Sequence, residues 1–157
     1  MLNVLIRYAE PPQVAGVDSS IGCGFEHSAA KPARQSATVE GQIQSLRQDG
    51  IRNGFLTIST DGRGRKTWYG GVYIGSKQYV ILDESGEVVA SKNASFDPAK
   101  PFQVSLTADL VKKSLTLTVD GESVSTPLPP GAKAAHFAGI GMNNTATRFT
   151  GIQIEAN

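Results

Sequence analysis

The residues best suited to ligand chemistry lie in one short segment, residues 61–69, which reads DGRGRKTWY. Trp68 and Tyr69 end this segment, and Arg63 and Arg65 precede them in a glycine-containing loop. Flat aromatic faces stack on sugar rings, and arginine side chains beside them donate hydrogen bonds to hydroxyl groups. The segment therefore predicts a carbohydrate-type binding site in which the two rings stack and the two arginines make polar contacts.

Three further residues extend this candidate site. Tyr73 lies four positions after Tyr69, and because alternate residues of a strand share a face, we expect both rings on the same side of it. Asn143 and Asn144 lie in a polar turn near the end of the chain and are predicted as additional hydrogen-bonding contacts. A purely structural interpretation competes with this one, in which Trp68 packs in the core and the basic residues form a solvated hairpin tip.

The charge of the chain gives no support for a nucleic-acid or membrane partner. The formal net charge is +1, and the clearest basic cluster consists of Arg63, Arg65 and Lys66. Such cations beside aromatic rings can contact phosphate or sulfate groups, but a cluster this short is more typical of a soluble loop. We therefore expect a glycan partner, no nucleic acid and no membrane, and the oligomeric state is left open.

Residue types that support catalysis or metal binding do not cluster in the sequence. His27 and His136 have no cysteine, histidine or carboxylate at metal-ligand spacing, and Cys23 has no activating histidine nearby. Loop carboxylates such as Asp97 leave a structural calcium ion open, although no spacing requires one. The sequence thus predicts no catalytic residue, no metal site and no cofactor.

Strand patterns predict how the chain positions these residues. Apolar residues alternate in 102–108 and in 115–119, and Asp120-Gly121 then supplies the positive φ angles of a tight hairpin. Residues 38–46 and 78–83 also read as strands bounded by turn residues. The spacing predicts an all-β fold, an antiparallel sandwich of two sheets with about ten or eleven strands.

The size and composition of the chain fit one domain. Its 157 residues can bury a sizeable core. We expect an irregular N-terminal strand and loop in 1–36, with the strand in the first eight residues and a short second strand near residues 22–26, followed by a regular sandwich in 38–156. Cys23 is the only cysteine, which excludes an internal disulfide and fits a cytosolic or a bacterial secreted protein. Met1–Tyr8 is too short and too mixed for a signal peptide.

The succession of elements in the second half is that of a known type of sandwich. It contains a strand pair in 104–119, the Asp120-Gly121 turn, a glycine-containing strand in 137–142 and a closing strand in 149–154. This order resembles the concanavalin A-like lectin and glucanase jelly rolls, a superfamily that includes laminin-G-like domains. The resemblance covers residues 38–156 and implies a jelly-roll sandwich that binds carbohydrate.

The motifs of catalytic relatives are incomplete in this chain. Glycosidases of the superfamily often carry a Glu-x-Asp-x-Glu strand, whereas Glu40 is the only acid in 38–46. The run Gln42-Ile43-Gln44 is similar to the Gln-Ile-His motif of alginate-lyase-like jelly rolls, and Gly71-Val72-Tyr73 is similar to part of their tyrosine strand. The histidine is replaced by glutamine and no Arg-x-Glu-Leu motif is present, which argues against a lyase.

The sequence therefore favours a non-catalytic carbohydrate-binding or recognition module, accessory to a larger polysaccharide-active protein and extracellular or periplasmic. Two alternatives stay open: a glycoside hydrolase or polysaccharide lyase on the same fold, and a laminin-G-like protein-interaction domain. A hydrolase needs two carboxyl groups across a cleft, and an interaction domain needs a contiguous exposed apolar patch.

Overall fold

The structure, a computed structural model, describes residues 20–24 (backbone only), 35–46, 54–60, 66–73, 77–97, 100–142 and 147–156. These residues form eleven β-strands. In chain order they are β1 Ser20–Gly24, β2 Ser36–Ser45, β3 Gly54–Ser59, β4 Thr67–Tyr73, β5 Gln78–Leu82, β6 Val88–Asn93, β7 Phe102–Asp109, β8 Ser114–Val119, β9 Glu122–Pro127, β10 Phe137–Met142 and β11 Thr147–Ala156.

The strands form two antiparallel sheets that pack face to face. The six-stranded sheet has the order β1-β10-β3-β4-β5-β6, and the five-stranded sheet has the order β11-β2-β7-β8-β9. The predicted all-β fold, an antiparallel jelly-roll sandwich of two sheets, is confirmed. Among the described residues, no helix is long and apolar enough to cross a bilayer.

The core lies between the sheets, where the apolar alternation of the sequence predicts it. Strand β2 directs Val39 and Ile43 inward, and β7 and β8 direct Phe102, Leu106 and Leu117 toward the opposite sheet. All of these side chains are fully buried or nearly so. Alternate residues of a strand point to opposite faces, so burying one set fixes the register of each strand.

The hairpin between β8 and β9 forms as predicted. Val119 pairs with Glu122, which leaves Asp120 and Gly121 as the loop, and their φ angles are 49° and 88°. Positive φ at both central positions is the geometry that fits the twist of a two-residue hairpin. The Asp120 carboxylate also accepts a hydrogen bond of 2.8 Å from the backbone N–H of Gln103, which ties the hairpin to β7.

The N-terminal part of the sandwich begins earlier than residue 38. Strand β1, Ser20–Gly24, pairs with β10 and borders the six-stranded sheet, and it overlaps the short strand that the sequence predicts near residues 22–26. Strand β2 then starts at Ser36. The strand predicted in the first eight residues lies outside the described residues.

The two sheets differ on their outward faces. The five-stranded sheet carries hydroxyl side chains there, and some of them bond to each other across strands: Thr38 to Thr107 over 2.9 Å and Thr118 to Ser123 over 2.8 Å. Threonine and serine on a half-exposed sheet surface are typical of a solvated face. The candidate ligand residues of β4 belong to the other, six-stranded sheet.

Two edge strands, β6 and β11, are irregular. The pairing of β5 with β6 shifts register between Ile81 and Leu82, and the pairing of β11 with β2 shifts between Thr150 and Gln153. In the second case Gly151 adopts a φ of 63°. Extra residues of this kind bend a strand and locally interrupt its hydrogen-bond ladder.

Asp109 gives the turn between β7 and β8 a pH dependence. Its Oδ1 accepts hydrogen bonds from the backbone N–H groups of Val111 (3.0 Å) and Lys112 (2.8 Å), and the Lys112 Nζ lies 3.3 Å from Oδ2. These contacts, led by the Lys112 amide, hold the pKa of Asp109 below its ordinary value. A carboxyl with a lowered folded-state pKa stabilises the fold above its unfolded pKa, and that stability is lost as pH falls through the folded value.

We therefore expect Asp109→Asn to flatten the fall in Tm at acid pH, below about pH 4. The measurement is a series of circular-dichroism melts from neutral to acid pH. Glu155→Gln is the matched control, because it removes one exposed carboxyl from the outward face of β11. An Asp109→Asn profile parallel to that of the unaltered protein at every pH would contradict the prediction.

Candidate functional site

Strand β4 divides the predicted aromatic residues between the two faces of its sheet. Trp68 and Val72 point inward and belong to the core cluster. Tyr69 and Tyr73 point outward and belong to a second apolar cluster. The expectation that the two tyrosines share a face agrees with this arrangement.

The structure places Trp68 inside the core. Its side chain is 7% exposed, and on the neighbouring strand it lies beside Ile58. Its indole Nε1 is buried and has no hydrogen-bond partner among the residues that the structure describes. The indole face is therefore not available for stacking on a sugar, and the structural interpretation of this residue replaces the ligand-binding one.

The outward cluster is built around Phe55. The ring of Phe55 meets Tyr69 and Tyr73 edge-on, with centroids 6.2 Å apart in both pairs and interplanar angles of 76° and 74°. Val80 and Leu82 on the next strand complete the cluster and are buried. Edge-to-face contacts of this kind hold aromatic rings in fixed positions.

The two tyrosines differ in their exposure. Tyr73 is 7% exposed, so its ring face is largely covered. Tyr69 is half-buried, and its ring leans toward β10, where a Cβ added to Gly141 would lie 3.7 Å from Tyr69 Cδ1 and Cε1. Tyr69 is therefore the predicted stacking residue that keeps part of its ring accessible.

Glycine makes room for this cluster beneath Phe55. A Cβ added to Gly71 would lie 2.5 Å from the carbonyl oxygen of Gly54 and 2.7 Å from Phe55 Cδ1. Contacts this short do not occur between non-bonded heavy atoms in a packed interior. Gly71 thus lets the Phe55 ring lie directly on the β4 backbone between the two tyrosines.

Two polar residues that the sequence interpretation missed lie beside this cluster. Gln78 is the cross-strand partner of Tyr73, and Asn93 is the cross-strand partner of Gln78. The Gln78 Nε2 donates a hydrogen bond of 3.1 Å to the Asn93 Oδ1. The alternation of Gln78 with Val80 and Leu82 was a usable signal for the first residue, but the second requires the pairing of β5 with β6.

The outward face of the six-stranded sheet is uncharged wherever the structure describes a side chain on it. The face is formed by alternate residues of β3, β4, β5, β6 and β10. Its members are Phe55, Thr57, Ser59, Thr67, Tyr69, Gly71, Tyr73, Gln78, Val80, Leu82, Val88, Ser91, Asn93, Phe137, Gly139 and Gly141. Of these, Thr67, Tyr69, Gln78 and Phe137 are half-buried, Val88, Ser91 and Asn93 are exposed, and the others are buried. We call this surface the tyrosine face.

Comparison with known proteins supplies likenesses of structure. No family model matches the sequence, and no curated protein matches it. The carbohydrate binding module CBM66 from Bacillus subtilis aligns with a TM-score of 0.61 and 14% identity over 89% of this chain and 91% of that chain. The galectin LEC-6 of Caenorhabditis elegans aligns with a TM-score of 0.56 and 11% identity over 92% of each chain. These likenesses establish the fold alone.

A third solved structure gives the fold its most specific description. It is a Bacillus subtilis protein of unknown function with a galectin-like fold, and it aligns with a TM-score of 0.55 and 10% identity over 89% of this chain and 86% of that chain. The chain thus has a galectin-like β-sandwich, a fold related to the concanavalin A-like jelly rolls. Its likeness to laminin-G domains in particular stays a prediction.

The remaining predicted contacts, Arg63, Arg65, Asn143 and Asn144, lie outside the described residues. The strand ends next to these two pairs of residues lie at opposite ends of β3. The base of the β3–β4 hairpin is closed by a 3.0 Å hydrogen bond from Thr60 N–H to the Lys66 carbonyl, whereas β10 ends where Met142 pairs with Gly54, at the other end of β3. At the rise of a β-strand, these two ends of β3 are about 17 Å apart.

The fragments of catalytic motifs do not form one site. Gln42 and Gln44 point outward from the five-stranded sheet, since they alternate with the core residue Ile43. Tyr73 points outward from the opposite sheet, so the whole thickness of the sandwich separates it from both glutamines. The lyase-like fragments therefore cannot act on the same substrate atom.

Glu40 has no carboxyl partner at its cross-strand positions. Its neighbours there are Ser105 on β7 and Gln153 on β11. Among the residues that the structure describes, no group of three or more histidine, cysteine, aspartate or glutamate side chains is arranged to hold a metal ion.

Proposed function

We propose that this chain is a non-catalytic carbohydrate-binding module and that its glycan lies on the tyrosine face, with Tyr69 as the stacking ring. The observation that carries the proposal is the position of Tyr69. It is a half-buried aromatic ring, outward-facing and held edge-on by Phe55. A fixed ring with one accessible part is the surface that a sugar ring needs for stacking.

The comparisons support this proposal through the kinds of protein that share the fold. Two of them are a carbohydrate binding module and a galectin, and the fold they share with this chain is the same two-sheet sandwich. A shared fold alone does not carry a function over, so the proposal depends on the ring and not on the likeness.

The predicted loop residues extend the proposed site along the sheet. Arg63 and Arg65 belong to the hairpin after β3, and Asn143 and Asn144 belong to the connection after β10. We propose them as polar contacts at opposite ends of a glycan that follows the strand direction. The module would be accessory to a larger polysaccharide-active protein and would act outside the cell or in the periplasm.

The protein-interaction alternative is less well supported by the exposed apolar residues. Among the described residues, the large exposed ones are Leu46, Val88, Val89 and Val111. Leu46 follows the end of β2 and Val111 lies in the turn after β7, at opposite ends of the sandwich because Ser36 pairs with Asp109. Scattered residues of this kind do not form the contiguous patch that marks a protein-binding surface.

Tyr69→Ala should weaken glycan binding about tenfold. Loss of an aromatic contact removes about 0.5–1.5 kcal/mol beyond the area that it buries, and about 1.4 kcal/mol corresponds to a factor of ten in Kd. The measurement is a glycan array to find a ligand, followed by calorimetric titration of that ligand. Gln103→Ala is the control, because it removes an exposed side chain from the outward face of the five-stranded sheet.

Two results would contradict the proposed function. One is the absence of any bound glycan on an array that includes plant, bacterial and animal polysaccharides. The other is unchanged affinity of folded Tyr69→Ala together with a loss of affinity in Gln103→Ala, which would move the site to the opposite sheet. Circular-dichroism melts of both variants exclude unfolding as the cause of a lost signal.

A further inference from the structure

Strand β9 is an edge strand without the irregularity of β6 and β11. It ends the five-stranded sheet, so among the described strands only β8 pairs with it. Its register with β8 runs unbroken from Glu122 to Pro127. Ser123 and Ser125 on this strand are exposed. A regular, accessible edge is a template for a further strand, and folded proteins commonly bend or block such edges.

The pairing with β8 decides which backbone groups of β9 remain available. In a two-residue hairpin the flanking residues, here Val119 and Glu122, exchange both backbone hydrogen bonds. Hydrogen-bonded pairs alternate with non-hydrogen-bonded pairs along antiparallel strands. The backbone polar groups of Ser123, Ser125 and Pro127 therefore point away from β8.

The side chains agree with this alternation. Residues in non-hydrogen-bonded pairs lie closest to each other, about 4.5 Å apart at Cα. The hydroxyl of Ser123 bonds to that of Thr118 over 2.8 Å, and the hydroxyl of Ser125 bonds to that of Thr116 over 2.9 Å. Because Pro127 has no N–H, the free edge of β9 presents two N–H donors, those of Ser123 and Ser125.

We propose that β9 pairs antiparallel with β9 of a second copy of this chain, about a two-fold axis that passes beside Val124. Ser123 then lies opposite Ser125 of the second copy, and the outward N–H groups of both strands all find carbonyl partners. Displacing one strand by two residues would place Ser123 opposite Pro127, which has no N–H to return a bond. This match of the edge with itself favours a second copy as the occupant.

The side chains of β9 fit the same pairing. Val124 is half-buried and packs against the main core, so two copies of this side chain meet at the axis and cover each other. The exposed Glu122 lies opposite Thr126 of the second copy, so no like charges face each other. A single strand pair buries little surface, and we expect a Kd on the order of 100 μM.

The dimer would hold both tyrosine faces on one side. Two antiparallel strands of one continuous sheet are related by an axis perpendicular to that sheet, so both six-stranded sheets lie on the same side of it. Two glycan sites that point in one direction can bind one polysaccharide surface together, which raises the apparent affinity. This consequence rests on the proposed function, whereas the strand pairing does not.

The first experiment is sedimentation velocity over a concentration series, from about 1 μM to about 500 μM. We expect a monomer at the low end and a dimer at the high end. Ser125→Pro removes one outward N–H and leaves the bonds to β8 intact, so the dimer Kd should rise at least about tenfold. Ser125→Ala is the matched control, because it removes the hydroxyl and keeps the N–H. Circular-dichroism melts check that both variants are folded.

The second experiment tests the register with single cysteines in a Cys23→Ser background. Val124→Cys places two thiols at the axis, where the Cα atoms of a non-hydrogen-bonded pair lie about 4.5 Å apart, within the range for a disulfide. Thr126→Cys is the control, since its two copies would lie about 13 Å apart along the strands. In a glutathione redox buffer, the first variant should form a disulfide-linked dimer and the second should not.

Three results would overturn the pairing: a monomer at every concentration, an unchanged dimer Kd in folded Ser125→Pro, or cross-linking of Thr126→Cys in place of Val124→Cys. A polysaccharide-coated surface separates this inference from the proposed function. The unaltered protein should be retained more strongly there than Ser125→Pro. No retention of either protein would contradict the proposed function and leave the strand pairing standing.

Discussion

Trp68→Ala should lower the free energy of unfolding by about 3–5 kcal/mol, the range for removing a large aromatic side chain from a core. The residue is nine-tenths buried and packs within the main cluster, so the substitution leaves a cavity that neighbouring strands cannot fill. Urea unfolding followed by far-UV circular dichroism measures the change. A surface-stacking role would give the opposite pattern, with unchanged stability and lost glycan binding.

Trp68→Phe provides the matched comparison. It keeps an aromatic ring in the core and removes the buried Nε1, which none of the described residues pairs by a hydrogen bond. Burying an unpaired N–H costs about 1–3 kcal/mol, and its removal offsets much of the smaller cavity that phenylalanine leaves. We expect a net loss below about 1.5 kcal/mol. A loss as large as that of the alanine variant would show that the indole N–H is satisfied in solution.

Intrinsic tryptophan fluorescence offers an independent check of the core position of Trp68, because this residue is the only tryptophan of the chain. A buried indole emits at shorter wavelength than an exposed one and resists quenching by acrylamide. Emission and quenching like those of free tryptophan would place the ring at the surface and would contradict the core position.

Gly71→Ala should cost about 1–3 kcal/mol of stability, as overpacking of a well-packed site does. The new Cβ would lie 2.5 Å from the Gly54 carbonyl oxygen. This atom belongs to the backbone of β3, so relief requires the two strands to separate. The shift would also move Phe55 away from the tyrosines, and we therefore expect weaker glycan binding in the same variant.

Gly70→Ala is the control one residue earlier. Its Cβ would lie 2.7 Å from Leu106 Cδ1 and 3.0 Å from Leu117 Cδ1. Both are side-chain ends that can rotate, so the loss of stability should be smaller than for Gly71→Ala, and the tyrosine face should bind as before. Equal destabilisation by the two substitutions, measured in urea, would contradict the role assigned to the β3 backbone.

Most of the fold was predictable because burial imposes a simple alternation on the sequence. In β7 the apolar residues at every second position are those that face the opposite sheet, with Phe102 and Leu106 among the most buried. The Asp120-Gly121 turn was equally clear, since few residue pairs accept two positive φ angles. Each of these features is local, so a single stretch of sequence determines it.

The orientation of β4 was not predictable by the same argument. Its sequence places Trp68 in one alternating set and Tyr69 and Tyr73 in the other. Gly70 and Gly71 add no side chain to either set, and Val72 adds one aliphatic residue to the set of Trp68, against two aromatic rings in the other set. Only packing decides the orientation: Leu106 and Leu117 of the opposite sheet press on Gly70, and Phe55 presses on Gly71.

The hydrogen bond between Gln78 and Asn93 illustrates a second limit. Gln78 and Asn93 meet only because β5 and β6 pair with a register shift after Ile81. An extra residue in one strand changes the partner of every residue beyond it. A sequence pattern of period two contains no information about such an insertion, so cross-strand contacts of this kind require a structure.

The register shifts at β6 and β11 also affect how the molecule behaves when crowded. Each of these strands lies at the margin of a sheet, where a straight ribbon would offer unpaired amides to any passing chain. An edge strand that is bent by a bulge is a poor template for the addition of a strand from another chain. An array of these modules fixed side by side should therefore resist fusing into fibrils along these two margins.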